Sequence, residues 1–210
     1  KFDSENIVRV TGDCPLVDPA LVDEAVRRFK SMDIDYLSNI NPPTFPDGLD
    51  IEVFTLSALE IAERESDTTF DREHVTPYLK NNKKFSKGVI NHSEDLSHLR
   101  WTVDEPEDLQ VITRIFEFFS PNILFSWKEV LELQQTQPML FSSNLKLQRN
   151  EGAIMGKGQK LYKRAKKIIP GGTMLLSKRP EMFLPDQWPA YFSKSKGCRV
   201  WDLEDREYID

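Results

Sequence analysis

The sequence predicts an α/β fold with a mainly parallel open sheet and helices on both faces. Two observations support this: short strand-like segments alternate with amphipathic helical segments along residues 1–135, and the helical segments begin at recognisable capping residues. Such alternation is typical of sheets whose strands are joined by crossover helices. At 210 residues and 39% hydrophobic side chains, the chain is large enough to bury a sizeable core.

The predicted strands are short runs with alternating or continuous apolar positions. They are residues 7–10 (IVRV), 35–39 (DYLSN), 45–54 (FPDGLDIEVF), 87–91 (KGVIN) and 99–103 (LRWTV). In the third run, Asp47 and Gly48 predict a turn before the strand, because both residue types favour turns.

Most of the predicted helices begin where a side chain can satisfy free backbone N–H groups. They follow Asp18 and Pro19, span 55–66, follow Asp71 as far as Pro77, follow Asp104, and run from the capping box SWKE (126–129) to Gln135.

Two aspartates follow predicted strands: Asp13 comes after the first strand and Asp104 after the last. Ligands of open α/β sheets bind at the carboxyl ends of the strands. Two carboxylates that meet there can share Mg²⁺, which needs few protein ligands because phosphates and water complete its octahedron. The alternative from spacing alone is that Asp104 only caps a helix and Asp13 only belongs to a turn.

The charge of the chain changes near residue 152 and predicts a domain boundary between 1–152 and 153–210. Residues 1–152 carry 16 basic and 27 acidic side chains, whereas residues 153–199 carry 11 basic and 2 acidic. The second part predicts a basic helix over 158–168, with Leu161, Ala165 and Ile168 on its apolar face, and then a β-hairpin with a turn at LEDRE. The lysines of this helix can bind nucleic acid or anionic lipid, but a solvated face is the plainer alternative.

Several classes of protein are disfavoured by composition. The net charge of −6 argues against a nucleic-acid partner, and no apolar run or signal peptide indicates a membrane partner or export. We therefore predict a cytoplasmic protein. Cys14 and Cys198 lie far apart and show no metal-ligand spacing.

Four motifs, in order, resemble the spore-coat-polysaccharide-type cytidylyltransferases: VRVTGDCPLVDP, FPDGLDIEVF, REHVTPYL and RWTVDEPEDL. The resemblance covers about residues 1–152 and ends with NLKLQRNEG. These enzymes are related to those that activate neuraminate and 3-deoxy-manno-octulosonate. The resemblance implies a nucleotide-diphospho-sugar transferase-like fold, and transfer of a cytidylyl group from CTP to an acidic or amino sugar with release of pyrophosphate.

The resemblance also implies roles for individual residues. Asp13 and Asp104 are the expected Mg²⁺ ligands. Asp50 and Glu52 project to one face of a strand and are expected to bind the sugar, although they can equally form the polar face of an edge strand. Arg72 and His74, at the start of a helix, are also expected to bind substrate.

The family's opening strand and its glycine-rich nucleotide loop would lie before Lys1. We therefore expect this chain to be a piece of a longer protein, to lack the N-terminal part that cradles the CTP phosphates, and to be inactive by itself.

The motifs RAKKIIPGG and GCRVWDLEDREYID resemble the N-terminal segment of class III aminotransferases of the glutamate-1-semialdehyde type, over residues 157–210. This implies a bifunctional, homo-oligomeric parent protein in which pyridoxal phosphate binds residues outside this chain. Two other functions stay open: the parent is chiefly a transaminase, or this part is a non-catalytic binding module.

Overall fold

The computed structural model describes residues 4–67, 71–72, 75–147, 149, 156–173, 179–184 and 188–209. The chain divides into two compact units, residues 1–149 and 150–210, close to the point where its charge changes. No helix within the described ranges is long and apolar enough to cross a membrane.

A four-stranded sheet forms the centre of the first unit. Its strands lie in the order β1-β3-β2-β4 and are β1 (Asn6–Arg9), β2 (Tyr36–Ser38), β3 (Glu52–Thr55) and β4 (Lys87–Val89). β3 pairs antiparallel with β1 and β2, whereas β2 and β4 pair in parallel. The α/β class is confirmed. The sheet is mixed, and not mainly parallel as the alternation predicts, because a loop instead of a crossover helix connects β2 to β3.

Helices cover both faces of this sheet, as predicted. They are α1 (Pro19–Ser31), α2 (Leu56–Glu65), α3 (Pro77–Asn81), α4 (Pro106–Phe119) and α5 (Trp127–Thr136), followed by a 3₁₀ helix (Pro138–Asn144). Neighbouring strand residues point to opposite faces. Accordingly Leu37 and Val53 pack with α1, α4 and α5, whereas Tyr36 and Phe54 pack with α2 and α3.

Two of the predicted caps are confirmed. The Asp18 carboxylate accepts hydrogen bonds from Ala20 N at 2.8 Å and Leu21 N at 3.2 Å, and its other oxygen accepts one from Trp127 N at 2.9 Å. One side chain therefore fixes the first turns of both α1 and α5. Ser126 and Glu129 form the predicted capping box.

Three local predictions need correction. The N-cap of α4 is Glu105 and not Asp104, because the Asp108 carboxylate accepts the backbone N–H groups of both residues. Pro77 begins a separate helix, α3, where its missing N–H costs nothing, and residues 75–76 before it are not helical. In the described part of the chain, the segment 99–103 forms only a bridge between Arg100 and Asp47 and is not a strand of the sheet.

The second unit contains the predicted helix and hairpin. α6 (Lys157–Ile168) precedes a short 3₁₀ helix (Pro180–Met182) and an antiparallel sheet of β5 (Phe192–Lys196), β6 (Arg199–Asp202) and β7 (Glu207–Ile209). The buried face of α6 holds Tyr162 and Ala165, whereas Leu161 and Ile168 are exposed, so the predicted apolar face is only partly correct.

Candidate active site

Asp13 and Asp104 follow backbone segments that are hydrogen-bonded to each other. Asp13 lies in the turn after β1, and its carbonyl oxygen accepts hydrogen bonds from Val103 N at 2.8 Å and from the Thr102 hydroxyl at 3.1 Å. Asp104 is the next residue along the second segment. The structure therefore brings together the two residues that the sequence predicts as metal ligands. Their binding of a metal stays a prediction.

A buried arginine fixes the Asp104 side chain. Arg100, whose side chain is 6% exposed, donates to Asp104 Oδ2 at 3.0 Å. The same guanidinium donates to both oxygens of Asp108, at 2.9 and 2.7 Å, and to Asp47 at 3.1 Å. The Asp104 side chain remains 36% exposed. Its carboxylate is thus held in one place and still reaches solvent.

Asp108 holds this arginine from the buried side. Burial alone would raise the pKa of the Asp108 carboxyl, but the hydrogen bonds from Arg100, Asn144 and the backbone N–H groups of Glu105 and Asp104 outweigh burial and lower it. The Asn144 amide donates to Asp108 Oδ1 at 2.9 Å and to the Arg100 carbonyl at 3.2 Å. The 3₁₀ helix (Pro138–Asn144) therefore contributes Asn144 to the hydrogen-bond network of Arg100 and Asp108.

Asp47 lies between two arginines. Besides Arg100, its carboxylate faces Arg149, whose Nε lies 3.7 Å from Asp47 Oδ1. Burial raises the pKa of Asp47 to about 6, and the carboxylates of Asp50 and Asp104 add to this effect, although both arginines oppose it. Asp47 thus connects Arg100 to Arg149.

Asp50 is held by the second arginine. Arg149 Nη2 donates to Asp50 Oδ1 at 2.6 Å, and Nη1 donates to the Phe45 carbonyl oxygen at 3.1 Å. The Asp50 side chain is 27% exposed. Burial raises the pKa of its carboxyl, and the charge and hydrogen bond of Arg149 oppose that rise.

These contacts form one row of alternating charges, which we call the carboxylate–arginine row: Asp104, Arg100, Asp47, Arg149, Asp50. It links the predicted metal side of the site to the predicted sugar side. Sequence reasoning missed Asp47, Arg100 and Arg149 as site residues. The available signals were a charged residue in the apolar segment LRWTV and an arginine in the motif QRNEG.

Glu52 lies in a different environment from Asp50. Its side chain is only 2% exposed, and it accepts hydrogen bonds from Arg9 and Tyr36 and pairs with Lys80 at 3.1 Å. The alternative of an exposed edge strand is wrong for Glu52, because β3 lies between β1 and β2. Its role in substrate binding stays a prediction.

One of the other predicted binding residues, Arg72, lies near α2. Arg72 is exposed and lines a cavity of about 190 Å³ together with Leu59, Ala62 and Ser66. His74 lies outside the described residues. Binding of substrate by either residue stays a prediction.

The donor set at Asp13 and Asp104 fits Mg²⁺. This ion is bound in nucleotide-dependent enzymes by one or two carboxylates together with substrate phosphates and water. Within the described residues, no group of three or more His, Cys, Asp and Glu side chains could hold a metal ion. If two carboxylates hold the ion, phosphate oxygens and water must supply the rest of its octahedron.

Short matches connect part of the chain to aminotransferases. The 3-aminobutyryl-CoA aminotransferase of Cloacimonas acidaminovorans is 38% identical over 56 residues, which is 27% of this chain and 13% of that protein. A match this short shows a local similarity to such enzymes.

Longer matches connect the chain to a second group of proteins. An uncharacterized protein of Methanocaldococcus jannaschii is 30% identical over 146 residues, which is 68% of this chain and 58% of that protein. The spore coat polysaccharide biosynthesis protein SpsF of Bacillus subtilis is 26% identical over 136 residues, covering 63% of this chain and 55% of SpsF. The chain thus spans less than two thirds of the length of these relatives.

A solved structure and a family model agree with these matches. The structure of a cytidylyltransferase from Leptospira borgpetersenii serovar Hardjo-bovis aligns with a TM-score of 0.62 at 34% identity, over 65% of this chain and 58% of that chain. The sequence model of the family described as cytidylyltransferase matches residues 1–147, which include the whole carboxylate–arginine row except Arg149. The chain therefore belongs to the cytidylyltransferase family.

Proposed function

We propose that the protein transfers a cytidylyl group from CTP to a sugar and releases pyrophosphate, in a Mg²⁺-dependent reaction. The observation that carries this proposal is the pairing of Asp13 and Asp104 on hydrogen-bonded backbone segments, in a chain of the cytidylyltransferase family. Because the chain spans 58% of the Leptospira cytidylyltransferase, the proposal concerns the natural protein that carries it.

The residues divide into a metal side and a sugar side. Asp13 and Asp104 would hold Mg²⁺, which when bound neutralises negative charge that develops at the α-phosphate during displacement. Arg100 keeps the Asp104 carboxylate in one orientation. Asp50, which is part-exposed, would accept hydrogen bonds from sugar hydroxyls, and Glu52, Arg72 and His74 are the further proposed substrate-binding residues.

The sugar is proposed to be acidic or amino and to serve surface polysaccharide synthesis. SpsF, a spore coat polysaccharide biosynthesis protein, supports this proposal through its 26% identity. A reaction that consumes CTP takes place where CTP is made, so we place the protein in the cytoplasm. The short aminotransferase matches support a second proposal, that the parent protein is bifunctional and homo-oligomeric and that its other domain binds pyridoxal phosphate.

The test is pyrophosphate release by the natural protein with CTP, Mg²⁺ and a panel of acidic, amino and neutral sugars. We expect release to require CTP over other nucleoside triphosphates and to be lost in Asp13→Ala and Asp104→Ala. Asp23→Ala, an exposed aspartate on α1, is the matched control and should retain activity. Full activity in Asp104→Ala, or no release with any sugar in the wild type, would overturn the proposal.

A further inference from the structure

Arg149 is the last residue of the first unit and belongs to the motif QRNEG, to which the proposed reaction gives no role. Its guanidinium reaches back about a hundred residues in sequence, to the Phe45 carbonyl and to the carboxylate of Asp50. The side chain is 15% exposed. Arg149 therefore clamps a loop that lies far away along the chain.

This loop, residues 45–50, is fixed independently at its centre. Asp47 N donates to the Leu99 carbonyl at 2.9 Å, and Trp101 N donates to the Asp47 carbonyl at 2.7 Å. Gly48 has φ +103°, and a Cβ there would meet the backbone of Trp101 at 2.5 Å. The backbone of the loop centre is thus held without Arg149, whereas the orientation of the Asp50 side chain at its end depends on Arg149.

We propose that Arg149 is a positioning residue for the sugar: it orients the Asp50 carboxylate toward the sugar hydroxyls. This inference rests on the proposed function and adds to it the residue that sets the sugar affinity. An arginine suits the task because its planar fork binds the Asp50 oxygen and the Phe45 carbonyl at once. The ammonium of a lysine is a point charge without that fork.

The proposal predicts a separation of kinetic effects. In Arg149→Gln of the natural protein, the KM for the sugar should rise about tenfold, which corresponds to about 1.4 kcal/mol, because the Asp50 carboxylate loses its charged hydrogen-bond partner. The KM for Mg-CTP should stay within twofold of the wild type, because Asp13 and Asp104 are held by other contacts. Arg149→Lys should restore part of the sugar affinity.

The matched control is Arg114→Gln. Arg114 is also a part-buried arginine that donates to a backbone carbonyl, that of Leu140 at 3.3 Å, and to the Ser143 hydroxyl. Its loss should leave the KM for the sugar unchanged. Equal increases of both KM values in Arg149→Gln, or the same effect in Arg114→Gln, would indicate a general structural role and overturn the proposal.

A second measurement uses the 210-residue chain and needs no activity. In ¹H–¹⁵N NMR spectra, Arg149→Gln should shift the amide signals of Phe45 and Asp50, which Arg149 contacts, whereas Arg114→Gln should not. Unshifted signals would overturn the proposal whether or not the protein transfers cytidylyl groups. Absence of pyrophosphate release by the natural protein would overturn the proposed function and, with it, the role of Arg149 toward the sugar.

Discussion

The carboxylate of Asp108 should contribute more to stability than any exposed carboxylate of the first unit, and Asp108→Asn tests this. Asp108 is fully buried and accepts hydrogen bonds from Arg100 Nε and Nη2, the Asn144 amide, and the backbone N–H groups of Asp104 and Glu105. The variant keeps the shape of the side chain but removes its charge and replaces one acceptor oxygen by an amide donor.

The size of the effect follows from these contacts. Removing one partner of a buried ion pair costs roughly 3–5 kcal/mol. Arg100 keeps its contacts with Asp47 and Asp104 in the variant, so we expect a loss of about 3 kcal/mol in the free energy of unfolding, at the lower end of that range.

Urea unfolding followed by tryptophan fluorescence measures this loss. Trp188→Phe and Trp201→Phe in the background confine the signal to Trp101 and Trp127, which are both buried in the first unit. Glu117→Gln, exposed on the same helix α4, is the control and should change stability by less than about 0.5 kcal/mol. A loss in Asp108→Asn as small as in this control would refute the argument that Arg100 depends on Asp108.

Three further predictions concern the rest of the first unit. Glu52→Gln should destabilise the protein most at neutral pH, which urea midpoints at pH 7 and pH 3 measure. Burial alone would raise the pKa of the Glu52 carboxyl, but Lys80 and the Tyr36 hydroxyl outweigh burial and lower this pKa. The stabilisation by Glu52 is therefore present above pH ~4.5 and disappears as the pH falls through the folded-state pKa. Gly48→Ala should lower the free energy of unfolding in urea by about 3 kcal/mol. The new Cβ would lie 2.5–2.6 Å from backbone atoms of Trp101 and Thr102, and the φ of +103° favours glycine. A change below about 1 kcal/mol would contradict the described loop. The 210-residue chain alone should release no measurable pyrophosphate from CTP, and turnover by the chain would contradict this prediction. Positioning of the reacting groups supplies on the order of 7–11 kcal/mol of the barrier. The chain matches 58% of the solved Leptospira cytidylyltransferase.

Local chemistry accounts for the parts of the structure that the sequence predicts well. The helix caps are local: the side chains concerned bind backbone N–H groups within four residues of themselves, so short sequence patterns identify them. They are Asp18, with Pro19 after it, and the pair Ser126 and Glu129. The rule that strand ends collect at one edge of a sheet predicts the proximity of Asp13 to the segment before Asp104. The segment 99–103 is not a strand of the sheet, however, and the proximity comes from the hydrogen bond that Val103 N donates to the Asp13 carbonyl.

Other contacts could not be read from patterns because they join distant segments with no local requirement. Arg100 and Asp47 are 53 residues apart, and Arg149 and Phe45 are 104 residues apart. Alternation also failed to separate Asp50 from Glu52. A period of two assigns a side chain to one face of a strand. Because helices cover both faces of this sheet, the face of a polar side chain does not tell whether that side chain is exposed, and Glu52 is buried.

The predicted turn at LEDRE in the second unit contains no glycine. Asp205 adopts φ +59° there, a conformation that aspartate tolerates better than most residues. The buried Asp202 side chain accepts hydrogen bonds from Glu204 N, Arg206 N and the Tyr208 hydroxyl. The turn is thus stabilised by a side chain instead of by glycine.

We expect Asp13 and Asp104 to bind one divalent cation together, and paramagnetic NMR broadening by Mn²⁺ tests this claim. Mn²⁺ takes the same oxygen ligands as Mg²⁺ and broadens only signals of nearby nuclei. In the 210-residue chain with CTP present, small additions of Mn²⁺ should broaden the amide signals of residues 12–14 and 103–105 first, and the same signals should stay sharp in the double variant Asp13→Asn and Asp104→Asn. Sharp signals at both segments in the wild type, with broadening elsewhere in the first unit, would contradict the claim.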